Sequence, residues 1–242
     1  MKIKHAFFNR LGGSSTGVFK SLNCGPGSSD KKRYIQKNLE IVGKKINAKS
    51  KKIILLNQIH SSKFHYISKY SNCKNKFEGD ALVTDRRGMP IAVLTADCAP
   101  ILIFDKKNHM IAVIHAGWKG AYKGIVKKVL KFMIKKGCSS INITAVIGPC
   151  ISVKNYEVKK DFIKKFIKKD KKIKIFLSKI KNKNYFNLSK YLAYQLKNFG
   201  IKKIEVINKD TFNIKNNFFS ARRSKRRNEN DYGRNISVIM LN

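Results

Sequence analysis

Short apolar runs separated by polar turns dominate the middle of the chain. Four of them have the length of buried strands, and the gaps between them are too short for helical crossovers. These runs are Asp80–Thr84, Ile91–Thr95, Ala99–Phe104 and Met110–His115. Their spacing predicts antiparallel or mixed strand pairing.

Further strands and helices are predicted on both sides of this block. Other apolar runs predict strands at Lys2–Phe8, Ile53–Ile59, Phe64–Ile67, Ile141–Ile147, Ile201–Ile207 and Ile236–Leu241. Apolar residues spaced three and four apart predict helices over Asp30–Lys45 with Asp30 as N-cap, from Gly117 to Gly137, over Lys159–Phe176 as a basic, solvated outer face, and over Ser189–Phe199. The pattern therefore predicts an α+β fold, a mixed or antiparallel β-sheet core layered with helices, in a single domain spanning residues 1–242.

Size and cysteine content point to the cytoplasm. A chain of 242 residues, 43% of them hydrophobic, is long enough to bury one substantial core. No apolar run approaches the roughly 20 residues that cross a bilayer, and no secretory signal pattern opens the sequence, so no membrane partner is expected. The five cysteines are odd in number and scattered, which fits a reducing compartment, and Cys24, Cys73 and Cys138 are interpreted as free thiols.

The net charge is extreme. Lys and Arg number 53 against 14 Asp and Glu, for a net charge of +39. A polyanion partner such as RNA or DNA is one interpretation. Compositional drift is the favoured one, because lysine, isoleucine and asparagine are abundant throughout, the charge forms no single patch, and no aromatic RNA-binding motif accompanies it. Weak non-specific binding to polyanions at low salt is expected either way.

Three apolar runs end in residues that can bind a metal: His60, Cys98 and His115. Two imidazoles and one thiolate suit zinc, and three protein ligands leave a fourth position open, as in a catalytic site. Alternatively, Cys98 and His115 could form a nucleophile–base pair of a cysteine hydrolase, with Asp97 orienting the imidazole. The second histidine at a comparable strand end favours metal.

The sequences around two of these ligands resemble those of a known family. Thr95-Ala-Asp-Cys98 and His115-Ala-Gly-Trp-Lys-Gly120 look like signatures of the YfiH/YlmD family, also called laccase-domain or purine nucleoside phosphorylase-like proteins. Further matches follow in order along nearly the whole chain. They are His5–Gly13, Ser21–Asn23, Asn57–His60, Gly79–Thr84, Ile147–Ile151, Tyr156–Val158, Phe218–Arg223 and Gly233–Arg234.

This resemblance implies an activity and a cofactor. It implies zinc held by His60, Cys98 and His115, phosphorolysis of adenosine, inosine and S-methyl-5′-thioadenosine, and an associated adenosine deaminase activity. Copper-dependent phenol oxidation is disfavoured, because five histidines cannot supply the about ten imidazoles of a full multi-copper set. Editing of a peptidoglycan precursor by amide hydrolysis would use the same site and stays an alternative.

Other motif residues are candidates for substrate contacts. Asp97 is predicted to support the ligands or to transfer a proton, and Asn57 and Gln58 either contact substrate or make structural hydrogen bonds. Four guanidinium groups are candidates for phosphate binding, with general basicity as the alternative. They belong to Arg10, Arg222, Arg223 and Arg234.

Some positions depart from the family pattern or allow two interpretations. The departures are Leu39, Asn155, Ala221 and Ser224, together with a lengthened segment before Gly233. The first turn after His115, Gly117–Gly120, either offers backbone N–H groups to an anion or simply makes a tight turn. The other histidines, His5, His65 and His109, are not expected to bind metal.

Overall fold

Six helices and fourteen strands lie within residues 2–48, 52–68, 71 and 77–242, which the computed structural model describes. The helices are α1 Lys32–Lys45, α2 Trp118–Lys123, α3 Ile125–Lys135, α4 Lys160–Lys169, α5 Leu188–Asn198 and α6 Ala221–Arg226. The strands are β1 Ile3–Phe7, β2 Leu56–Asn57, β3 Phe64–Ile67, β4 Phe77–Glu78, β5 Ala81–Thr84, β6 Ile91–Thr95, β7 Ala99–Asp105, β8 Met110–Ala116, β9 Ile143–Ile147, β10 Glu157–Val158, β11 Leu177–Ile180, β12 Lys183–Phe186, β13 Lys203–Val206 and β14 Asn235–Leu241.

The larger sheet has six strands in the order β13-β9-β7-β8-β5-β3. Its centre is the antiparallel hairpin of β7 and β8, and only the outer pairs β3–β5 and β9–β13 are parallel. Asp105 fixes the hairpin turn, because its carboxylate accepts hydrogen bonds from the backbone N–H groups of Lys107 and Asn108 at 2.9 and 3.0 Å. The mixed pairing expected from the short strand spacing is confirmed.

A smaller antiparallel sheet, β1-β14-β6, packs face to face on the larger one. Successive strand residues point to opposite faces, so each sheet has one face for the other sheet and one for helices. The buried residues between the two sheets are Ile91, Val93, Ile239 and Leu241 of the smaller sheet and Leu82, Leu102, Ile111 and Val113 of the larger.

Helices cover the two outer faces. Helix α1 packs through Val42 on the smaller sheet, against Ala92 and Val238. Helices α3 and α5 pack on the larger sheet through Val129 and Leu192 among others. Four layers result, in the order helix, sheet, sheet, helix, and the α+β fold class is confirmed.

One predicted strand, Ile53–Ile59, is largely wrong. Only β2 pairs regularly there, with β4, and Ile54 makes a single bridge to Ile91. The cause is the Gln58 side chain, whose amide donates to Leu94 O at 2.8 Å and accepts from Leu94 N at 2.7 Å. A side-chain amide therefore takes the place of a neighbouring strand at the edge of β6, and the backbone is free to turn away.

Two predicted helices are interrupted. The helix predicted from Gly117 to Gly137 divides at Gly124, which has φ +78° and separates α2 from α3. The helix predicted over Lys159–Phe176 ends at Lys169 and continues as a 3-10 turn, which the Asp170 carboxylate caps by accepting the Lys172 N–H. Its lysines are exposed, as predicted for a basic outer face, while Phe166 on the opposite side is 1% exposed and packs in an aromatic cluster.

The predicted N-cap of the first helix is also wrong. Lys31 occupies the N-cap position and makes no side-chain cap. The Asp30 carboxylate instead accepts hydrogen bonds from Ser15 Oγ at 2.6 Å and Asn23 Nδ2 at 3.0 Å. Asp30 therefore fastens the N-terminal loops rather than the helix.

Several short elements were not predicted from the sequence. Strands β10, β12 and β11 form a separate three-stranded sheet, and α6 is a single short helix. Cys73, predicted to be a free thiol, lies outside the described residues. Among the residues that the structure describes, no helix is long and apolar enough to cross a membrane.

Candidate metal centre

His60, Cys98 and His115 come together from three separate segments. Their ligand atoms all lie within 4.8 Å of one another, and no other such group of histidine, cysteine and acidic residues is found among the described residues. Cys98 Sγ is 3.8 Å from His60 Nε2, and the two imidazole rings meet edge to face with centroids 4.8 Å apart. The structure thus places the three predicted ligands at one point.

Strand pairing explains this convergence. In the central hairpin Ala99 pairs with Ala116 and Pro100 with His115, so Cys98 lies opposite Gly117. A Cβ atom on Gly117 would be 2.7 Å from Cys98 Sγ and 3.2 Å from His60 Cδ2. This close approach accounts for a glycine directly after the His115 strand, while the anion-binding and tight-turn interpretations of Gly117–Gly120 both stay predictions.

The backbone near the ligands is held in an uncommon conformation. His60 has φ +54° and Asp97, the neighbour of Cys98, has φ +86°. Residues other than glycine rarely occupy this region, and such strain concentrates at functional sites. Both residues need fixed partners to stay there.

Asp80 supplies those partners for His60, and the sequence reasoning missed it. Its carboxylate accepts hydrogen bonds from the backbone N–H of His60 at 3.0 Å, from Ser61 N and Oγ at 2.5 and 2.7 Å, and from His115 Nδ1 at 2.8 Å. Burial acts to raise the pKa of Asp80, but the hydrogen bonds from His115 and Ser61 outweigh it and lower the pKa. The only sequence signal was an acidic residue directly before a buried strand, inside the matched Gly79–Thr84 segment.

The thiol and imidazole at the centre stabilise each other's charged forms. Burial acts to raise the pKa of Cys98, yet the charges and hydrogen bonds of His115 and His60 lower it below that of an ordinary thiol. Burial likewise acts to lower the pKa of His115, while Cys98 and Asp80 raise it. A thiolate is therefore favoured at neutral pH, and thiolate is the form that binds metal.

Asp97 does not orient an imidazole, contrary to the cysteine-hydrolase alternative, because the carboxylate bonded to His115 Nδ1 is that of Asp80. The two carboxylate oxygens of Asp97 accept hydrogen bonds from Thr211 Oγ1 at 2.7 Å and from the Arg222 N–H at 2.6 Å. Burial raises the pKa of the Asp97 carboxyl, although these same hydrogen bonds act to lower it. The contacts fix the turn that presents Cys98, while a part in proton transfer stays a prediction.

All four predicted phosphate-binding arginines have partners in the protein itself: Arg234 donates to the backbone oxygen of Tyr232 and to Asp231 Oδ1, and the other three are also engaged. Arg223 is 8% exposed and donates to the backbone oxygens of Thr211, Phe212 and Phe218. Arg222 donates to Glu157 O at 3.2 Å. The third, Arg10, donates from Nε to Lys20 O and lies over the Phe219 ring, 4.7 Å from its centroid.

Arg234 differs from the other three because it lines a cleft together with the metal ligands. The cleft has a volume of about 1480 Å³, and Asn57 and Gln58 also line it. An ion pair with Asp231 at 2.8 Å and the Tyr232 ring, 4.3 Å from Arg234 Cζ, hold the guanidinium in place. Gln58 is committed to the structural contact with β6 described above, whereas the exposed Asn57 stays a candidate for substrate contact.

The departures from the family pattern have different surroundings. Leu39 lines the cleft and packs on the core beneath α1. Asn155 donates from Nδ2 to Asp210 Oδ2 at 2.7 Å, so it ties two loops together. Ala221 begins α6, and Ser224 is 6% exposed within it.

The donor set and its geometry suit a zinc ion. With Zn–S near 2.3 Å and Zn–N near 2.0–2.1 Å, tetrahedral ligand atoms lie about 3.3–3.6 Å apart. The 3.8 Å between Cys98 Sγ and His60 Nε2 is close to that range, whereas the full set, whose atoms lie within 4.8 Å of one another, contracts by up to about 1.5 Å to reach tetrahedral spacing around a metal. Because Nδ1 of His115 is bonded to Asp80, its Nε2 is the nitrogen available to a metal.

The remaining histidines lie outside this group. The Nε2 atom of His65 is bonded to the backbone oxygen of Glu78 at 2.8 Å, and His109 forms part of the β7–β8 turn with φ +52°. His5 is exposed on β1, where it pairs with Ile239. Two imidazoles and a thiolate are too few for a set of several coppers.

Known proteins match the chain over nearly its whole length. The model of the family described as multi-copper polyphenol oxidoreductase laccase matches residues 4–242. A protein of Bacteroides thetaiotaomicron named purine nucleoside phosphorylase is 32% identical over 251 residues, covering 99% of this chain and 92% of that protein. A protein of the same name from Haemophilus influenzae is 33% identical over 239 residues, covering 97% and 93%.

Solved structures have the same fold. YfiH from Bacillus licheniformis superposes with a TM-score of 0.89 at 27% identity, covering 99% of this chain and 93% of that one. The protein NMB0706 from Neisseria meningitidis superposes with a TM-score of 0.88 at 28% identity, covering 99% and 94%. The family match over nearly the whole chain and these structural likenesses lead to one conclusion: the chain belongs to the YfiH family.

Proposed function

We propose that the chain is a zinc-dependent purine nucleoside enzyme. Its reaction is the phosphorolysis of adenosine, inosine and S-methyl-5′-thioadenosine to the free base and a (methylthio)ribose 1-phosphate, with adenosine deamination as an associated activity. The observation that carries the proposal is the convergence of His60, Cys98 and His115 on a cleft large enough for a nucleoside and phosphate. The relatives named purine nucleoside phosphorylase, 32% and 33% identical over nearly the whole chain, support the substrate class.

His60, Cys98 and His115 would hold zinc as three protein ligands, at the cleft that they line. Zinc bound there supplies Lewis-acid catalysis at the fourth coordination position, which three protein ligands leave open. The chain's own contribution is rigidity: the central hairpin fixes Cys98 and His115, and Asp80 fixes the ring of His115. Ligands held in this way need little reorganisation when substrate binds.

Phosphate binding would use the cationic residues that line the cleft. Arg234 lines it, and its planar guanidinium can bind an oxyanion through two parallel hydrogen bonds. Three lysines line the same cleft, namely Lys32, Lys44 and Lys52, against one acidic residue, Glu40. This excess of positive charge attracts a phosphate anion into the cleft.

Phosphorolysis then needs orientation and one proton. A phosphate oxygen forms a bond to C1′ of the ribose while the bond from C1′ to the purine nitrogen breaks, and the purine leaves after taking up a proton. Asn57 is the exposed amide on the cleft wall that can orient the nucleoside. Adenosine deamination replaces the amine at C6 with an oxygen from water and releases ammonia.

A second candidate function is supported by one specific contact. Cys98, His115 and Asp80 are arranged as a nucleophile, a base and an orienting carboxylate. His115 Nδ1 lies 2.8 Å from Asp80 Oδ1. A cysteine hydrolase would use these residues without metal. His60 favours the zinc site, because a hydrolase of this kind has no use for a second imidazole beside the thiolate.

Metal content measured together with base release tests the proposal. The untagged protein is analysed for zinc per chain, and wild type and Cys98→Ala are incubated with adenosine, inosine or methylthioadenosine, with and without phosphate. The expected result is about one zinc per chain and phosphate-dependent base release by wild type only. Turnover that persists after complete removal of metal, and that thiol alkylation abolishes, would favour the cysteine hydrolase instead.

A further inference from the structure

The single carboxylate of Asp80 contacts two of the three metal ligands. Asp80 is fully buried, and each of its carboxylate oxygens accepts two hydrogen bonds. Oδ1 accepts from His115 Nδ1 and from the backbone N–H of His60, and Oδ2 accepts from Ser61 N and Oγ. The backbone oxygen of Asp80 also accepts the N–H of His115 at 2.7 Å.

We propose that Asp80 is the positioning residue of the metal centre, which fixes the ring of His115 and the backbone of His60 at the same time. The inference rests on the proposed metal site and not on the choice of substrate. For His115, a carboxylate that accepts from Nδ1 keeps the proton on that nitrogen, which leaves Nε2 as a lone-pair donor to metal. Ring orientation and tautomer are therefore set by one contact.

For His60 the effect operates through the backbone. A φ of +54° is uncommon for a residue with a side chain. Two consecutive backbone N–H groups, those of His60 and Ser61, donate to the Asp80 carboxylate, and these hydrogen bonds stabilise the uncommon conformation of His60. Without this acceptor the turn can relax to a common conformation. The His60 ring would then move away from Cys98, and the ligand set would open.

Asp80→Asn tests this inference with almost no change in shape. An asparagine has one oxygen and one NH₂ group, so it cannot accept hydrogen bonds on both sides. If the NH₂ group faces His115, the neutral ring shifts its proton to Nε2 and loses its metal-binding nitrogen. If it faces Ser61, two N–H donors meet and the turn at His60 loses an acceptor.

Asp105→Asn is a matched control. Asp105 is also fully buried and accepts backbone hydrogen bonds from Lys107, Asn108 and Ser139, but it serves the β7–β8 turn. The substitution removes the same charge from an equally bonded aspartate. Its destabilisation should be comparable, and its metal site should be unaffected.

The experiment measures the zinc dissociation constant by competition with a chromophoric chelator for wild type and both variants. Proton–nitrogen NMR of the zinc-loaded proteins, labelled in histidine, reports how strongly the Nδ1 proton of His115 is hydrogen-bonded, because a strong acceptor moves that proton signal downfield. We expect Asp80→Asn to weaken zinc binding about 10- to 100-fold and to move the Nδ1 proton signal upfield or broaden it, because an amide oxygen is a weaker acceptor than a carboxylate and an NH₂ group is none, with both readouts unchanged in Asp105→Asn. Wild-type affinity in Asp80→Asn, or an equal loss in Asp105→Asn, would overturn the inference.

A gentler variant covers the case in which Asp80→Asn does not fold. Ser61→Ala keeps the carboxylate and removes one hydrogen bond to it, so zinc binding should weaken about threefold to tenfold. Unchanged zinc affinity in this variant would count against the role of Asp80. Failure of wild type to bind zinc would instead remove the metal site itself, whatever the result with nucleosides.

Discussion

Two groups of motif residues lie in contrasting surroundings. At the candidate metal centre, the donor atoms of Cys98 and His115 lie close to each other and line a cleft. In helix α6, the guanidinium groups of Arg222 and Arg223 could also bind a ligand, but they donate hydrogen bonds to backbone oxygens of the protein. Both groups fall within matched family segments, so motif membership does not separate ligand-binding from fold-stabilising residues.

The contrast lies in what each side chain is bonded to. A cation that binds substrate must keep donors free on a solvent-filled face, and of the four candidate arginines only Arg234 lines the cleft. A buried arginine bonded to carbonyl oxygens contributes to folding, because its removal leaves those oxygens without partners. Mutation of the proposed metal ligands should therefore weaken metal or substrate binding, whereas mutation of the buried arginines should lower the stability of the fold.

The largest effect is expected at Cys98. Cys98→Ala removes one of three ligands, so zinc affinity should fall by more than about 100-fold, beyond the loss typical of an outer residue. The melting temperature of the metal-free protein should change little. Chelator competition and thermal unfolding measure the two quantities.

Cys138→Ala is the control for Cys98→Ala. Cys138 is a buried thiol away from the metal centre, with Met110 as its sulfur neighbour. Its loss should lower stability modestly and leave zinc binding intact. Equal zinc affinity in the Cys98 variant and this control would remove the distinction on which the metal centre depends.

Arg223→Ala should have the converse effect. The loss of charged donors to three backbone oxygens at a buried site is expected to destabilise the protein by about 3 kcal/mol. For a chain of this size the melting temperature should fall by about 6–12 °C. Zinc affinity should stay within about twofold of wild type, because Arg223 contacts none of the three proposed ligands and distant sites contribute almost independently. A large loss of zinc affinity without a fall in melting temperature would contradict the assignment of Arg223 to folding.

Features that depend on the local sequence pattern could be predicted from the sequence. Buried strands such as β6 follow from their apolar runs, and the three proposed metal ligands stand out because each ends such a run. Asp80 did not stand out, because an acidic residue before a strand resembles any turn residue. Its importance arises only when β5 pairs with β8 and brings it to His115.

The contacts of long polar side chains could not be predicted from the sequence. The run that contains Gln58 has the composition of a strand, but its amide bonds to Leu94 in place of a strand partner. The arginines have long, flexible side chains, so their sequence positions do not determine which oxygens they contact. Both errors concern polar groups whose partners are distant in the sequence.

Thiol alkylation should distinguish Cys98 from the buried cysteines. The imidazoles hold the pKa of Cys98 low, whereas burial raises the pKa of Cys24 and of Cys150. In metal-free protein at neutral pH, iodoacetamide should therefore alkylate Cys98 at least about tenfold faster than the buried thiols. The rate should fall as the pH drops through the lowered pKa of Cys98, because the thiolate is then protonated.

Peptide mass spectrometry identifies which cysteine is alkylated, including Cys73. Added zinc should protect Cys98, since a coordinated thiolate is less available to the reagent. A pH profile for Cys98 that matches an ordinary thiol would show that the neighbouring imidazoles do not stabilise its thiolate.

Arg234→Gln should give the smallest effect and completes the contrast with Arg223. Its ion pair with Asp231 is partly exposed, 23% and 21% for the two side chains, so the loss should cost no more than about 1 kcal/mol of stability. The KM for phosphate, measured at saturating inosine, should rise about fivefold, because the lysines of the cleft still attract the anion. The KM for inosine should change less. If the substitution instead left the KM for phosphate unchanged and lowered the melting temperature as much as Arg223→Ala, Arg234 would belong with the fold-stabilising arginines. The cleft would then rely on its lysines alone for phosphate.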